Sequence, residues 1–303
     1  MELLKKKRGK HVRVFEKAPA KINLSLDVLG KRNDGYHEVR MVMTTIDLAD
    51  RVECESLPED RIAVHSSVPY VPEDDKNFAW QAAKLIKDKY SIHRGVEIMI
   101  KKQIPVAAGL AGGSSDAAAT IRALNRLWKL GMTCEEMLEV ARKIGSDVAF
   151  CIKGGTALAT GRGEKIHELP PLPPCWVVLV KPGVSVSTAQ IYKDWDHQPA
   201  VHPDVDAMID AIMRRDFSAI CRSLGNTLEA VTMKKVPEIS RIKGHMRQIG
   251  AEGILMSGSG PTVFGLTRHE SRMQRLLNGM KGYCSQVFAV RLYKPNDALS
   301  KYE

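Results

Sequence analysis

Apolar and polar positions alternate with a period of two over residues 12–18 and 22–29, which predicts half-buried β-strands at the start of the chain. Asn33-Asp34-Gly35 supplies a turn, and the β pattern resumes over 39–46, 51–55 and 62–65. Phe78, Ala82, Leu85 and Ile86 then recur on one helical face, with Asn77 placed to cap that helix. Residues 96–100 read as another strand, ended by Pro105. Two helices are predicted next. In the first, Ala117, Ile121, Leu124 and Trp128 share a stripe; the second opens on a Thr133–Glu136 capping box and buries Met137, Val140, Ala141 and Ile144. Gly145-Ser146-Asp147 and a short apolar run lead to a strand over 156–160.

The stretch 169–174 is Leu-Pro-Pro-Leu-Pro-Pro, a stiff connector that marks a domain junction. Beyond it the pattern predicts a strand over 176–180 and helices within 187–249. Strands over 253–256 and 262–266 flank the turn 257–261, and a helix carrying Met273, Leu276, Leu277 and Met280 precedes a last strand over 287–292. The elements mix without regular βαβ alternation, so the class is α+β. The division is a basic tail 1–11, an N-terminal domain 12–168, the connector 169–174 and a C-terminal domain 175–303.

Composition changes this picture little. The chain of 303 residues is 44% hydrophobic and 26% charged, values of a soluble globular protein. Its longest strongly apolar run, 175–180, is too short to span a bilayer, and no apolar segment follows the basic tail as a secretory signal requires. The six cysteines are scattered without zinc-ligand spacing, so reduced thiols and a cytoplasmic location are expected. A net charge of +10 raises a nucleic-acid reading. Lysine and arginine are spread along the whole chain, however, and the few aromatics are not interleaved with them as a stacking platform would need. An anionic small molecule suits the charge equally well.

The candidate chemistry lies in Pro105-Val106-Ala107-Ala108-Gly109-Leu110-Ala111-Gly112-Gly113-Ser114-Ser115, which joins a strand to an amphipathic helix. Glycines 109, 112 and 113 permit positive φ and close approach of a ligand, and Ser114 or Ser115 stands at the expected N-cap. Free N–H groups and the positive helix end then favour a phosphate. The segment is neither a Walker A loop nor G-x-G-x-x-G. Lys21 and Asn23 fall on the same face of a strand, and Asp147 follows a helix end. A carboxylate paired with a lysine could deprotonate an acceptor hydroxyl while the cation stabilises phosphoryl charge.

In combination, Pro105-x-x-x-Gly-Leu-x-Gly-Gly-Ser-Ser-Asp116 and the late turn Ser257-Gly-Ser-Gly-Pro-Thr262 resemble motifs of the GHMP superfamily of small-molecule kinases. Ala18-Pro-Ala-Lys-Ile-Asn23, Arg32-Asn-Asp-Gly-Tyr-His37, Gly145-Ser-Asp-Val148, Gly161-Arg-Gly-Glu164 and Pro182-Gly-Val-Ser-Val-Ser-Thr188 are similar to one branch of it. That branch phosphorylates the C2 hydroxyl of a cytidyl-diphosphate-linked methylerythritol in isoprenoid precursor synthesis. The resemblance implies a two-domain fold with a ribosomal protein S5-like N-terminal domain and a ferredoxin-like C-terminal domain. It implies ATP bound on residues 105–115, with Asp147 as base, Lys21 as its partner and Asn23 contacting substrate. Tyr36 and His37 would hold the cytosine, Tyr192 would stack on its other face, and Thr188 would lie near the diphosphate. Mg2+ would accompany ATP with its ligands unassigned, Ser115 being the candidate from its place in the loop. No nucleic-acid or membrane partner is implied, and monomer and homodimer both stay open.

Two departures stand out. Many relatives have more glycine where this chain has Val106-Ala107-Ala108, and a proline at the position of Ala149. Alanine suits the loop unless positive φ is needed there. Competing readings are a superfamily kinase acting on mevalonate, homoserine or a sugar, and a catalytically silent nucleotide or nucleic-acid binder. Neither calls for Tyr36, His37 and Tyr192 in combination with Lys21 and Asp147.

Overall fold

The computed structural model describes residues 12–196 and 201–293, so the basic tail 1–11 lies outside the described residues. The chain opens with a long hairpin of β1 (Arg13–Lys31) and β2 (His37–Leu57) around the 33–35 turn. Where the pattern predicts two strands on each side, each side is one continuous strand. Register shifts at Pro19/Lys21, Asn23/Ser25 and Val28/Gly30 absorb extra residues and break the alternation without ending the pairing. Next come β3 (Ile62–Ser66), α1 (Phe78–Tyr90), β4 (Gly95–Lys101), α2 (Gly112–Leu127) and α3 (Cys134–Ile144). Asn77 caps α1 through its side chain, and Thr133 and Glu136 form the expected capping box of α3.

The apolar run after Gly145 is a helix, α4 (Ser146–Lys153), entered directly from the end of α3. Eight residues are too few for periodicity to reveal a helix, especially one with five residues buried. Two strands follow, β5 (Thr156–Thr160) as expected and β6 (Lys165–Leu169), which the pattern misses. β6 pairs only with β5 and reads Lys-Ile-His-Glu-Leu, with little apolar signal. Its last residue is Leu169, so the strand takes the first position of the proline-rich stretch.

The remainder comprises β7 (Trp176–Lys181), α5 (Thr188–Trp195), α6 (Val205–Met213), α7 (Phe217–Arg222), β8 (Gly225–Asn226), α8 (Glu229–Lys235) and α9 (Glu238–Ile249). The chain then forms β9 (Gly253–Met256), β10 (Val263–Thr267), α10 (Glu270–Lys281) and β11 (Gln286–Arg291). One seven-stranded sheet runs β3-β4-β2-β1-β8, with β5 and β6 branching from β2; a four-stranded antiparallel sheet runs β11-β7-β10-β9.

The two sheets are knitted together. β8 joins the first sheet in parallel beside Ser25 and Leu26, and Ile191 on α5 packs into the core of that sheet. A second apolar cluster combines Ile22 and Leu24 of β1 with Leu179 of β7 and Phe264 of β10. Helix α2 is the hub of the first core. Ala117, Ala118, Ala119 and Ala123 let it approach the sheet closely, and twelve of its sixteen residues are buried. The loop that precedes so immobile a helix therefore has a fixed end.

Candidate active site

The glycine-rich loop leaves β4, turns, and enters α2. Positive φ occurs at Ala107 (52°), Gly109 (74°) and Ala111 (56°), every second residue. Glycines 112 and 113 lie inside the helix and are not in that region, which corrects the expectation from sequence. Two of the three left-handed positions are thus occupied by alanine, at a cost of roughly 1 kcal/mol each relative to glycine. Alternating backbone handedness turns successive N–H groups inward into an anion-binding concavity.

The N-cap is Ala111, not Ser114 or Ser115, and no side chain caps the helix. Its first internal bond runs from Ser115 N–H to the Ala111 carbonyl, so the N–H groups of Gly112, Gly113 and Ser114 have no intrahelical partner. They open onto a cleft of about 1010 Å³ that these residues line. Ser115 is turned the other way: it is fully buried, its hydroxyl donates to the Pro19 carbonyl at 2.7 Å, and it does not line the cleft. Ser114 lines the cleft instead.

The late turn Ser257–Thr262 packs on this loop. The Ser257 hydroxyl donates to the Gly109 carbonyl at 2.9 Å and accepts from Asn23 N–H. A Cβ on Gly109 would come within 2.2 Å of the Ser257 carbonyl oxygen, so that glycine is required by both conformation and contact. Asn226 on β8 holds the turn from below, donating to the carbonyls of Met256 and Gly258.

Lys21 and Asp147 meet. The Lys21 ammonium is buried and lies 3.4 Å from the Asp147 carboxylate, which is partly open to the cleft in the first turn of α4. An acidic residue in a first helical turn complements the helix dipole. Asn23 does share the strand face, but it is fully buried, does not line the cleft, and accepts a 2.7 Å hydrogen bond from Lys21. Its geometry is that of a positioning residue for the ammonium rather than of a substrate contact.

Tyr36, His37, Thr188 and Tyr192 line the same cleft. The rings of His37 and Tyr192 are 4.8 Å apart at 39°. Tyr36 is more than half exposed, with the Arg162 guanidinium 4.6 Å over its ring. His37 Nε2 is 2.6 Å from Asp196, which also pairs with Lys31 at 2.8 Å; carboxylate contact of this kind fixes an imidazole tautomer. Burial, with Asp147 nearby, pushes the Tyr192 phenol up, so it stays a neutral donor. Thr188 shares a 2.9 Å hydrogen bond with Ser259 of the late turn.

Asp196 and Asn226 escape sequence reasoning, since each is an ordinary polar residue until the fold gathers it here, while Arg162 and Ser259 lie in motifs the sequence offers without a role for either side chain. Among the described residues no group of three or more His, Cys, Asp or Glu could hold a metal, and no helix is long and apolar enough to cross a membrane. Cys54, Cys151, Cys175, Cys221 and Cys284 form no disulfide.

Two family models match the chain, the GHMP kinases N terminal domain over residues 77–155 and the GHMP kinases C terminal over 208–286. A protein of Geobacillus kaustophilus named 4-diphosphocytidyl-2-C-methyl-D-erythritol kinase is 63% identical over 282 residues, 93% of this chain and 97% of the relative. One of the same name from Bacillus cytotoxicus is 59% identical over 95% of this chain and all of its own length. A crystal structure of 4-(cytidine 5'-diphospho)-2C-methyl-D-erythritol kinase superposes with a TM-score of 0.77 at 34% identity, covering 92% of this chain and 99% of that one. The homoserine kinase of Cytophaga hutchinsonii gives the same TM-score at 22% identity, a likeness of fold alone. With the phosphate-type loop, the Lys21–Asp147 pair and these matches in agreement, the chain belongs to the GHMP kinases.

Proposed function

We propose that this GHMP kinase transfers the γ-phosphoryl group of ATP to the C2 hydroxyl of 4-diphosphocytidyl-2-C-methyl-D-erythritol, as its relatives' names indicate for them. The observation that carries the reading is the Lys21–Asp147 pair, which opens on one cleft lined also by an uncapped helix N-terminus and by the His37–Tyr192 aromatic pair. In this reading the N–H groups of Gly112, Gly113 and Ser114 hold the phosphates. Asp147 takes the proton of the acceptor hydroxyl as its oxygen bonds to the γ-phosphorus and the bond to ADP breaks. Lys21, held by Asn23, keeps Asp147 in place and offsets charge on the transferring group. His37 hydrogen-bonds the pyrimidine edge, while Tyr36 and Tyr192 stack on its faces.

Mg2+ accompanying ATP would supply positive charge that offsets the charge of the phosphates. Ser114, which lines the cleft beside the loop, would offer it a hydroxyl ligand. A cytoplasmic setting is in keeping with cysteines scattered along the chain without a disulfide framework in the sequence.

The test is ADP release with the cytidyl substrate, mevalonate and homoserine offered in parallel, with and without Mg2+. Turnover on the cytidyl substrate alone, and only with the metal, is expected. Turnover only on a base-free acceptor would overturn the assignment.

A further inference from the structure

At the base of the loop lies a buried ion triad, two of whose members, Lys102 and Asp116, also line the cleft. Lys102, just after β4, places its ammonium 2.5 Å from Asp50 in β2 and 2.7 Å from Asp116 in α2. All three side chains are 5% exposed or less. The second Asp50 oxygen accepts the N–H groups of Gln103 and Ile104, the last residues before Pro105. Asp116 is in the turn of α2 that follows the loop's return. A Cβ on Gly112 would meet the Lys102 ammonium at 3.3 Å, so the cation lies against the first residue of the helix.

The triad therefore grips the loop at both stems. Asp50 ties the exit from β4 to the sheet, and the Lys102–Asp116 contact ties the same point to α2. We propose that Lys102, clamped between Asp50 and Asp116, is a positioning residue that closes the base of the phosphate loop and holds its free N–H groups in register with ATP. The proposal rests on the loop holding phosphates. A loop with left-handed alanines at 107 and 111 has reason to relax when released, and its two ends have no other ion pair between them among the described residues. Burial, reinforced by Asp50 and opposed by Lys102, pushes the Asp116 carboxyl up to about 7. Its second oxygen has no hydrogen-bond partner. Removing Asp116 therefore leaves one cation facing one anion, with no charge stranded in the interior.

The experiment is Asp116→Ala, with Asp116→Asn as the conservative rescue and amide hydrogen exchange of residues 105–115 measured on the nucleotide-free protein. Expected in Asp116→Ala are faster loop exchange and a KM for ATP raised about tenfold, with the acceptor KM within about twofold. Asn, whose amide oxygen still accepts from Lys102, should return both readouts toward the parent. Unchanged exchange would overturn the clamp. Faster exchange with unchanged ATP affinity would leave the clamp standing and remove phosphate binding by this loop. Loss of ATP affinity in Lys102→Met but not in Asp116→Ala would mean that the ammonium touches nucleotide directly, and would also overturn it. Should Asp116→Ala not fold, Asp116→Ser, too short to reach Lys102, replaces it with the same outcomes.

Discussion

Two sets of residues lining the cleft are built on opposite principles. The loop set presents backbone: N–H groups of Gly112, Gly113 and Ser114, a left-handed turn at Gly109, and the late turn seated against it. The aromatic set presents side chains: Tyr36 from the 33–36 turn, His37 at the start of β2 and Tyr192 from α5, tethered through Asp196. A backbone site is damaged by added atoms, because there is no room for them. A side-chain site is damaged by removed atoms, because the contacts are the site. Asp147 lines the same cleft, paired with Lys21, and belongs to neither set.

That contrast orders the expected effects. Asp147→Asn should lower kcat by about a thousandfold while ATP binding, measured by direct titration, stays within a few fold. An equal loss of ATP affinity would show that Asp147 is part of the loop set after all. Gly109→Ala drives a Cβ toward the Ser257 carbonyl from a left-handed residue. It should weaken ATP about a hundredfold and lower unfolding free energy by about 2–4 kcal/mol, read by calorimetry. Tyr192→Ala removes a ring rather than adding an atom. Its expected cost is about tenfold or more in the acceptor KM with the KM for ATP unchanged, and Tyr192→Phe should restore most of it.

Smaller effects sharpen the comparison. A carboxyl whose pKa is raised on folding binds more protons in the folded state, so Asp116 costs stability as pH climbs from about 4 through about 7. Denaturation midpoints of the parent should therefore fall relative to Asp116→Asn over that range and level off above it. A gap that widens toward low pH would contradict the direction. Smallest is Ala107→Gly. Relief of the left-handed strain outweighs the added chain entropy, and stability should rise by about 0.5 kcal/mol. A fall in melting temperature would mean that the methyl group contributes more than its φ costs.

Much of the fold was legible because its signals are local. Caps at Asn77 and Thr133, the strands over 156–160 and 253–256, and the α+β class all follow from period and turn chemistry. The exceptions have specific causes. The bulges that keep β1 and β2 continuous are invisible to a strict period of two, α4 is too short to display a period, and β6 is a polar edge strand.

By itself the sequence determined that a small-residue loop meets a helix N-terminus, and it supplied the lysine, aspartate and aromatics that chemistry would need. The tertiary structure decided which of them meet. It brought Lys21 to Asp147 across 126 positions of chain, turned Ser115 inward to Pro19, and placed positive φ on alanines rather than on Gly112 and Gly113. It also assembled Asp50, Lys102 and Asp116 from three elements into one buried triad. The physical reason is common to all of these. Neighbours in sequence make a turn and a helix start favourable, whereas which residue takes the left-handed φ, and which buried group meets which, is settled only when separate elements pack.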